Sequence, residues 1–271
     1  MSEQAKIQPQ INAARAYANL MVPALFGEWA VTVADAAEVR RGQRVLDIAC
    51  GTGVLTRQVK SRTGASGRVV GLDPNEGMLE VAKTLAPDIE WQQGVAESIP
   101  FSEHSFDSVV SQFGLMFFRD RVQAVREMLR VLAGKGRFAV AVWDSLENIP
   151  AYAAVVDLLE RLAGTAAADA LRAPFVLGHR HELQRLFEDG GAAAGIRTVR
   201  GTARFPSVRV MVEADLRGWL PIMGVVLPED QIAHILSEAE EMLKPYVTND
   251  GKAVFPTSAH IVRGNENRGA S

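Results

Sequence analysis

Apolar residues recur at helical spacing through the first forty positions. They are Ile11, Tyr17, Leu20 and Met21, then Leu25, Phe26, Trp29 and Val33. Pro23 falls inside this pattern, so two helices are expected there. From residue 44 the rhythm changes. Short apolar runs at residues 44–48, 68–73, 89–93, 106–111 and 137–143 read as strands. Amphipathic stretches at about residues 53–63, 75–86 and 120–132 separate most of them and read as helices. Strands alternating with helices through short connections build βαβ units, and so a parallel sheet. After residue 145 the alternation stops. Residues 150–190 are alanine-rich and helical, 196–205 is a further strand, and 211–245 is two helices split by Pro228. A last strand is expected over 254–262, and the tail from Gly264 to Ser271 is expected to be unstructured.

The stretch Val45-Leu46-Asp47-Ile48-Ala49-Cys50-Gly51-Thr52-Gly53-Val54 carries the most chemistry. An apolar run ends in an acid, turns through two glycines and opens an amphipathic helix. Such a turn lets backbone approach a ligand closely. The second strand ends in Asp73, about 20 residues on, where an acid can accept hydrogen bonds from both hydroxyls of a ribose. A glycine turn can also serve only to pack helix on sheet, with Asp73 as a cap. A dinucleotide fingerprint needs a third glycine, where this chain has Thr56. Asp47 also repels pyrophosphate, and it favours a ligand carrying an amino group.

Composition narrows the classes. The chain has 271 residues, 48% hydrophobic and 23% charged, enough for one large domain with or without a cap. A net charge of −3 gives no electrostatic reason for nucleic acid or an anionic membrane surface. The single cysteine, Cys50, excludes an intrachain disulfide and reads as a small turn residue. The polar N-terminus lacks the apolar core of a signal peptide, and no apolar run is long enough to span a membrane. A cytoplasmic protein is expected. His179 and His181 diverge on a helix and do not make a metal site, so no metal is expected.

Five segments in consecutive order resemble one family. They are VLDIACGTG, VVGLD, GVAESIPF, SFDSVVSQFGLMFF and REMLRVLAGKGRFAVAVW, spanning about residues 40–145. Together they are similar to class I S-adenosylmethionine-dependent methyltransferases, in the small-molecule branch of the ubiquinone/menaquinone C-methyltransferases. The resemblance implies an α/β fold: a Rossmann-like, doubly wound, mostly parallel seven-stranded sheet with its last strand antiparallel, plus a helical cap. It implies that residues 1–40 cover the cofactor, that 41–205 and 253–263 form the core with a helical stretch at 145–190, and that 206–252 is a cap insertion. The implied cofactor is S-adenosyl-L-methionine.

On matching positions, Ala49, Gly51, Thr52 and Gly53 would lie against its methionine part, with Asp47 acting on the amino group. Asp73 would hold the ribose, and Pro74 and Met78 would pack on the adenine. Many relatives carry an acid where this chain has Val95. Here the Ala96 amide and Glu97 would serve the adenine instead. Ser111, Gln112 and Phe113 would face the methionine moiety, and Tyr17 and Trp29 would form an aromatic lid near the sulfonium. Tyr17, Phe26 and Trp29 also fit plain core packing.

The expected reaction is in-line methyl transfer to a small apolar or aromatic acceptor. The alternative is a protein that binds the same cofactor without transferring methyl, cyclase-like or regulatory. A base, where one is needed, would come from His179, Tyr152 or Asp144, which follow the fifth strand. Trp219, Met223, Val225, Val226 and Leu227 suggest an apolar pocket or the surface of a homodimer. The fourth strand ends in SQFG, unlike the Asn/Asp-Pro-Pro-Tyr signature of base methylation, which argues against a nucleic-acid substrate.

Overall fold

Helix α1 (Glu3–Ala16) runs directly into a π-helical segment, Tyr17–Phe26, in the computed structural model, which describes residues 3–266. Pro23 therefore does not split two helices, as its position suggested; it sits inside the π segment. A proline lacks the amide for an ordinary helical bond and crowds the preceding turn, and a wider turn relieves both. The segment closes with the Gly27 amide donating to the Val22 carbonyl at 2.7 Å. Helix α2 (Trp29–Ala36) follows and buries Trp29, Ala30, Val33 and Ala34.

The sheet has seven strands: β1 (Arg44–Ile48), β2 (Arg68–Asp73), β3 (Glu90–Gln93), β4 (Phe106–Gln112), β5 (Leu132–Trp143), β6 (Ala192–Phe205) and β7 (Ala253–Glu266). Their order is β3-β2-β1-β4-β5-β7-β6. The strands from β3 to β5 pair in parallel, whereas β7 is antiparallel to both β5 and β6. The expected mixed sheet with a reversed last strand is thus present. Strand β5 starts at Leu132 rather than at residue 137, because Leu132 pairs with Phe106 across a register shift. Gly134 and Gly136 lie inside that irregular ladder instead of forming a turn. The tail expected to be unstructured contributes Gly264–Glu266 to β7, and residues 267–271 lie outside the described residues.

Helices α3 (Val54–Thr63) and α4 (Glu76–Leu85) connect β1 to β2 and β2 to β3, while α5 (Arg121–Val131) connects β4 to β5. Right-handed crossovers running outward from β1 and from β4 place α3 and α4 on one face, where α2 packs against α3. They place α5 and α8 (Arg180–Asp189) on the other. The direction of winding reverses between β1 and β4, which opens a crevice at their carboxyl ends. Phe106, Phe138, Phe205 and Phe255, one each on β4, β5, β6 and β7, are buried.

Two excursions cover the far end. After β5 come α6 (Pro150–Ala163) and α7 (Thr165–Arg172), then α8. Between β6 and β7 come α9 (Val208–Ala214), a π-helical turn Asp215–Trp219, the short α10 (Leu220–Ile222) and α11 (Glu229–Met242). The ends of the first excursion are pinned together. His260 Nε2 lies 2.8 Å from the Gly178 carbonyl and 3.2 Å from Asp144 Oδ1, and the Ser258 hydroxyl donates to Asp144 Oδ2 at 2.8 Å. Ile222 and Val226 are left exposed on the cap's outer edge. No helix among the described residues is long and apolar enough to cross a membrane.

Candidate active site

The turn after β1 is built from strained and glycine backbone. Ala49 has φ 57°, Gly51 54° and Gly53 82°, in the left-handed region that a side chain disfavours. Phe113, at the end of the neighbouring β4, has φ 55°. Such outliers gather where a fold holds backbone for a purpose. The two glycines differ in their surroundings. A methyl group on Gly51 would meet no atom within 4 Å, whereas one on Gly53 would lie 2.3 Å from the Trp91 indole. Gly51 thus opens on the crevice. Gly53 is small because Trp91 of β3 fills the space behind the turn, its Nε1 donating to the Ala86 carbonyl at 3.0 Å. Trp91 would equally strike a side chain at Gly71.

Asp47 is 1% exposed. The Thr56 hydroxyl donates to its Oδ2 at 2.6 Å. Thr56, the residue that breaks the dinucleotide fingerprint, is therefore the partner of the acid that precedes the turn. Asp47 Oδ1 is buried and has no partner among the described residues. Burial, opposed by the Thr56 bond and assisted by the charge of Asp73, pushes the Asp47 pKa up to about 7. Asp73 lies at the end of β2. Its Oδ2 accepts from the Gly51 amide and its Oδ1 from the Asn75 amide, both at 2.9 Å. Burial raises its pKa, and these two amides oppose the rise.

The raised Asp47 pKa has a sign. The folded state keeps this proton at pH values where the unfolded chain has lost it. The group's contribution to stability is complete below its ordinary value of 3.8 and is lost as pH rises towards about 7. The melting temperature of the ligand-free protein, measured relative to Asp47→Asn, is therefore expected to fall between pH 4.5 and 8. A difference that stays flat over that range would contradict the assignment.

Three more buried polar atoms without partners line the same crevice: Thr52 Oγ1, Ser111 Oγ and Gln112 Oε1. Buried polar groups are nearly always satisfied, so a cluster of orphans marks a place where a ligand completes the bonds. These groups fit the cofactor that the sequence resemblance implies. Acceptor oxygens of Asp47 suit an amino group, the hydroxyls and amide suit a carboxylate, and Asp73 retains lone pairs for a diol.

The N-terminal segment crosses this crevice. It begins on α4, where Gly77 makes room for the backbone of Gln10. Tyr17 comes near enough to Asp73 for the acid's charge, after burial, to raise its pKa. The Phe26 carbonyl then accepts from Gln112 Nε2 at 3.0 Å, at the end of β4. Tyr17 also packs on Phe26, ring centroids 5.4 Å apart. Trp29 is buried deeper, edge-on to both Phe113 and Trp143, and Phe113 stacks on Trp143 at 3.9 Å.

The remaining positions named from sequence are dispersed. Pro74 and Val95 are exposed, Met78 is half-buried and Ala96 is buried, all near the ends of β2 and β3. Glu97 Oε1 accepts from the Arg119 amide at 2.7 Å, which ties it to the entry of α5. Burial pushes the Cys50 thiol up, which suits a turn residue rather than a nucleophile. Of the candidate bases, His179 is exposed at the start of α8, and Asp144 is held by Ser258, His260 and the Ser145 amide. Tyr152 is buried in α6 against Phe175 and Phe255. Sequence reasoning missed Asp215 of the cap, a buried acid with no motif around it. It also missed Trp91, whose role shows only in three dimensions. A surface cleft around Glu38, Arg137 and Arg263 lies at the opposite, amino ends of the strands. The partnerless atoms of Asp47, Thr52, Ser111 and Gln112 lie at the carboxyl ends instead, and that crevice is the candidate site.

Residues 46–140 match the family model of a methyltransferase domain. That stretch of the chain is similar to a methyltransferase domain. The matched stretch runs from within β1 to within β5 and includes Asp47, Thr52, Ser111 and Gln112. The chain is 42% identical over 118 residues to the ubiquinone/menaquinone biosynthesis C-methyltransferase UbiE of Idiomarina loihiensis, covering 41% of this chain and 47% of that protein. It is 41% identical over 115 residues to the 2-phytyl-1,4-naphtoquinone methyltransferase of Thermosynechococcus vestitus, covering 41% of this chain and 51% of that protein. The chain thus spans about half the length of these curated relatives. Two solved structures share the fold. YcgJ of Bacillus subtilis aligns with TM-score 0.57 at 22% identity, over 89% of this chain and all of that one. The Haemonchus contortus phosphoethanolamine N-methyltransferase 2, in complex with phosphomonomethylethanolamine and S-adenosylhomocysteine, aligns with TM-score 0.60 at 16% identity, over 97% of this chain and 59% of that one.

Proposed function

We propose that this protein is a cytoplasmic enzyme that transfers a methyl group from S-adenosylmethionine to a small, apolar aromatic acceptor, quinone-like in its ring chemistry. The observation that carries the reading is the set of partnerless buried groups on Asp47, Thr52, Ser111 and Gln112, gathered around the open face of Gly51. The quinone-directed names of the sequence relatives support the acceptor class.

When bound, S-adenosylmethionine supplies a methyl group made electrophilic by the sulfonium. The residues of this chain hold and orient. Asp73 takes the ribose hydroxyls through the lone pairs that its two amide donors leave free. Asp47 takes the amino group, and that positive charge draws the carboxyl into its ionised form. Thr52, Ser111 and Gln112 satisfy the remaining polar atoms. Tyr17 and Phe26 close the crevice above them and exclude water from the line of transfer. Phe113 and Trp143 present an apolar surface on the side of the cap.

The test is incubation with methyl-labelled S-adenosylmethionine and a panel of hydroquinones, naphthols, amines and carboxylates. Label is expected in the hydroquinone or naphthol fraction. Label confined to amines or carboxylates would overturn the acceptor class, and tight cofactor binding with no labelled product would favour a non-transferring role.

A further inference from the structure

Asp215 is the buried acid that the methyl-donor crevice does not use. It is 3% exposed, and its Oδ2 has no hydrogen-bond partner among the described residues. Burial alone raises its pKa, to about 8, and no cation offsets that penalty. An unpartnered buried carboxyl costs stability that an apolar side chain of similar size would not. Asp215 also opens the π-helical turn Asp215–Trp219, and such turns recur where a functional side chain must be re-aimed.

The surroundings are aromatic, and they lead back to the crevice by two routes. Trp219 lies one turn beyond Asp215, on the same side of the helix. Its Nε1 donates to the Ala170 carbonyl at 2.7 Å, and its ring rests 5.3 Å from Phe117, just after β4. On the other side, burial raises the pKa of Tyr152, and the charge of Asp215 adds to the rise. The Tyr152 ring is 5.8 Å from Phe175, and Phe175 is 6.5 Å from Trp143, which stacks on Phe113. Both lines start at the carboxyl ends of β4 and β5 and converge on Asp215 and Tyr152.

We propose that Asp215, with Tyr152 beside it, is the polar anchor of the acceptor site and takes the ring hydroxyl of an aromatic acceptor. An aromatic ring is held by the apolar walls, but its hydroxyl would be stranded there without an oxygen to receive it. Asp215 Oδ2 is that oxygen, and one hydrogen bond satisfies both partners. The anchor also fixes which ring atom faces the crevice, so Asp215 determines position as well as affinity.

This inference rests on the methyl-transfer reading, and the test separates the two. S-Adenosylhomocysteine is first titrated by calorimetry into wild type, Asp215→Leu and Asp215→Asn. 1-Naphthol and naphthalene, which differ only in the hydroxyl, are then titrated into each saturated protein. Wild type is expected to prefer 1-naphthol by about tenfold or more. Asp215→Leu is expected to bind both alike, to melt at the wild-type temperature or higher, and to keep S-adenosylhomocysteine affinity within about twofold. Asp215→Asn is expected to fall between. Retained discrimination in the leucine variant, or none in wild type, overturns the anchor. So does a leucine variant that melts well below both other proteins, since Asp215 would then belong to the scaffold. Failure of wild type to bind S-adenosylhomocysteine is a separate result, and it overturns the methyl-donor reading itself.

Discussion

Replacing Asp73 with alanine is expected to weaken S-adenosylhomocysteine binding by about a hundredfold, roughly 3 kcal/mol, the scale of two charge-assisted hydrogen bonds. The carboxyl already accepts from the Gly51 and Asn75 amides, so it is aimed before any ligand arrives. Preorganisation of this kind means that little ordering cost is left for binding. The same bonds make the substitution costly to the fold. Two amides lose their acceptor, and a drop of about 1–3 kcal/mol in stability is expected. Asp73→Asn separates the effects. It keeps a carbonyl for one amide and the shape of the turn, but it loses the charge and one acceptor. Calorimetric titration alongside thermal melting should show the asparagine variant between wild type and alanine in stability and well below wild type in affinity. An alanine variant with unchanged affinity would remove Asp73 from the site.

The second large effect divides the two glycines of the turn. Gly53→Ala is expected to destabilise the protein by about 2–4 kcal/mol, combining left-handed strain with overpacking against Trp91. The new methyl would lie 2.3 Å from the indole, and no neighbour can give way cheaply. Gly51→Ala carries a similar backbone strain, but its methyl enters open space. It is expected to lose only about 1 kcal/mol of stability and most of its affinity for S-adenosylhomocysteine, because that space is the one we propose for the ligand. Chemical denaturation and calorimetry on both variants give a crossed result: one mainly unstable, the other mainly unable to bind. A Gly51 variant that binds normally would show that the turn is packing and nothing more.

Much of this was legible in the sequence because the signals are local. The apolar runs ending in Asp47 and Asp73 needed only period and punctuation to be read as strands of a parallel sheet, and the glycine turn between them carries its own backbone chemistry. The parts that were not legible are those where distant residues meet. Thr56 looked like a mere departure from a dinucleotide fingerprint; in the fold its hydroxyl serves Asp47. Gly53 looked like a place for close ligand approach, and it is small because Trp91, far along the chain, lies behind it. Pro23 predicted a break, but a π turn absorbs it, since propensity says only that an ordinary helix fails there. Asp144 looked free to act after the fifth strand, yet β7 returns beside it with Ser258 and His260 and occupies both its oxygens. Asp215 had no motif at all. Its isolation is visible only once α7, α9 and α10 pack around its turn.

We propose the crevice at the ends of β1, β2 and β4 as a methyl-donor site. The most direct measurement is calorimetric titration of wild-type protein with S-adenosylhomocysteine and, separately, with NAD at neutral pH. Saturable one-to-one binding of S-adenosylhomocysteine in the micromolar range, with none for NAD, is predicted. Binding of NAD, or of neither, would contradict it.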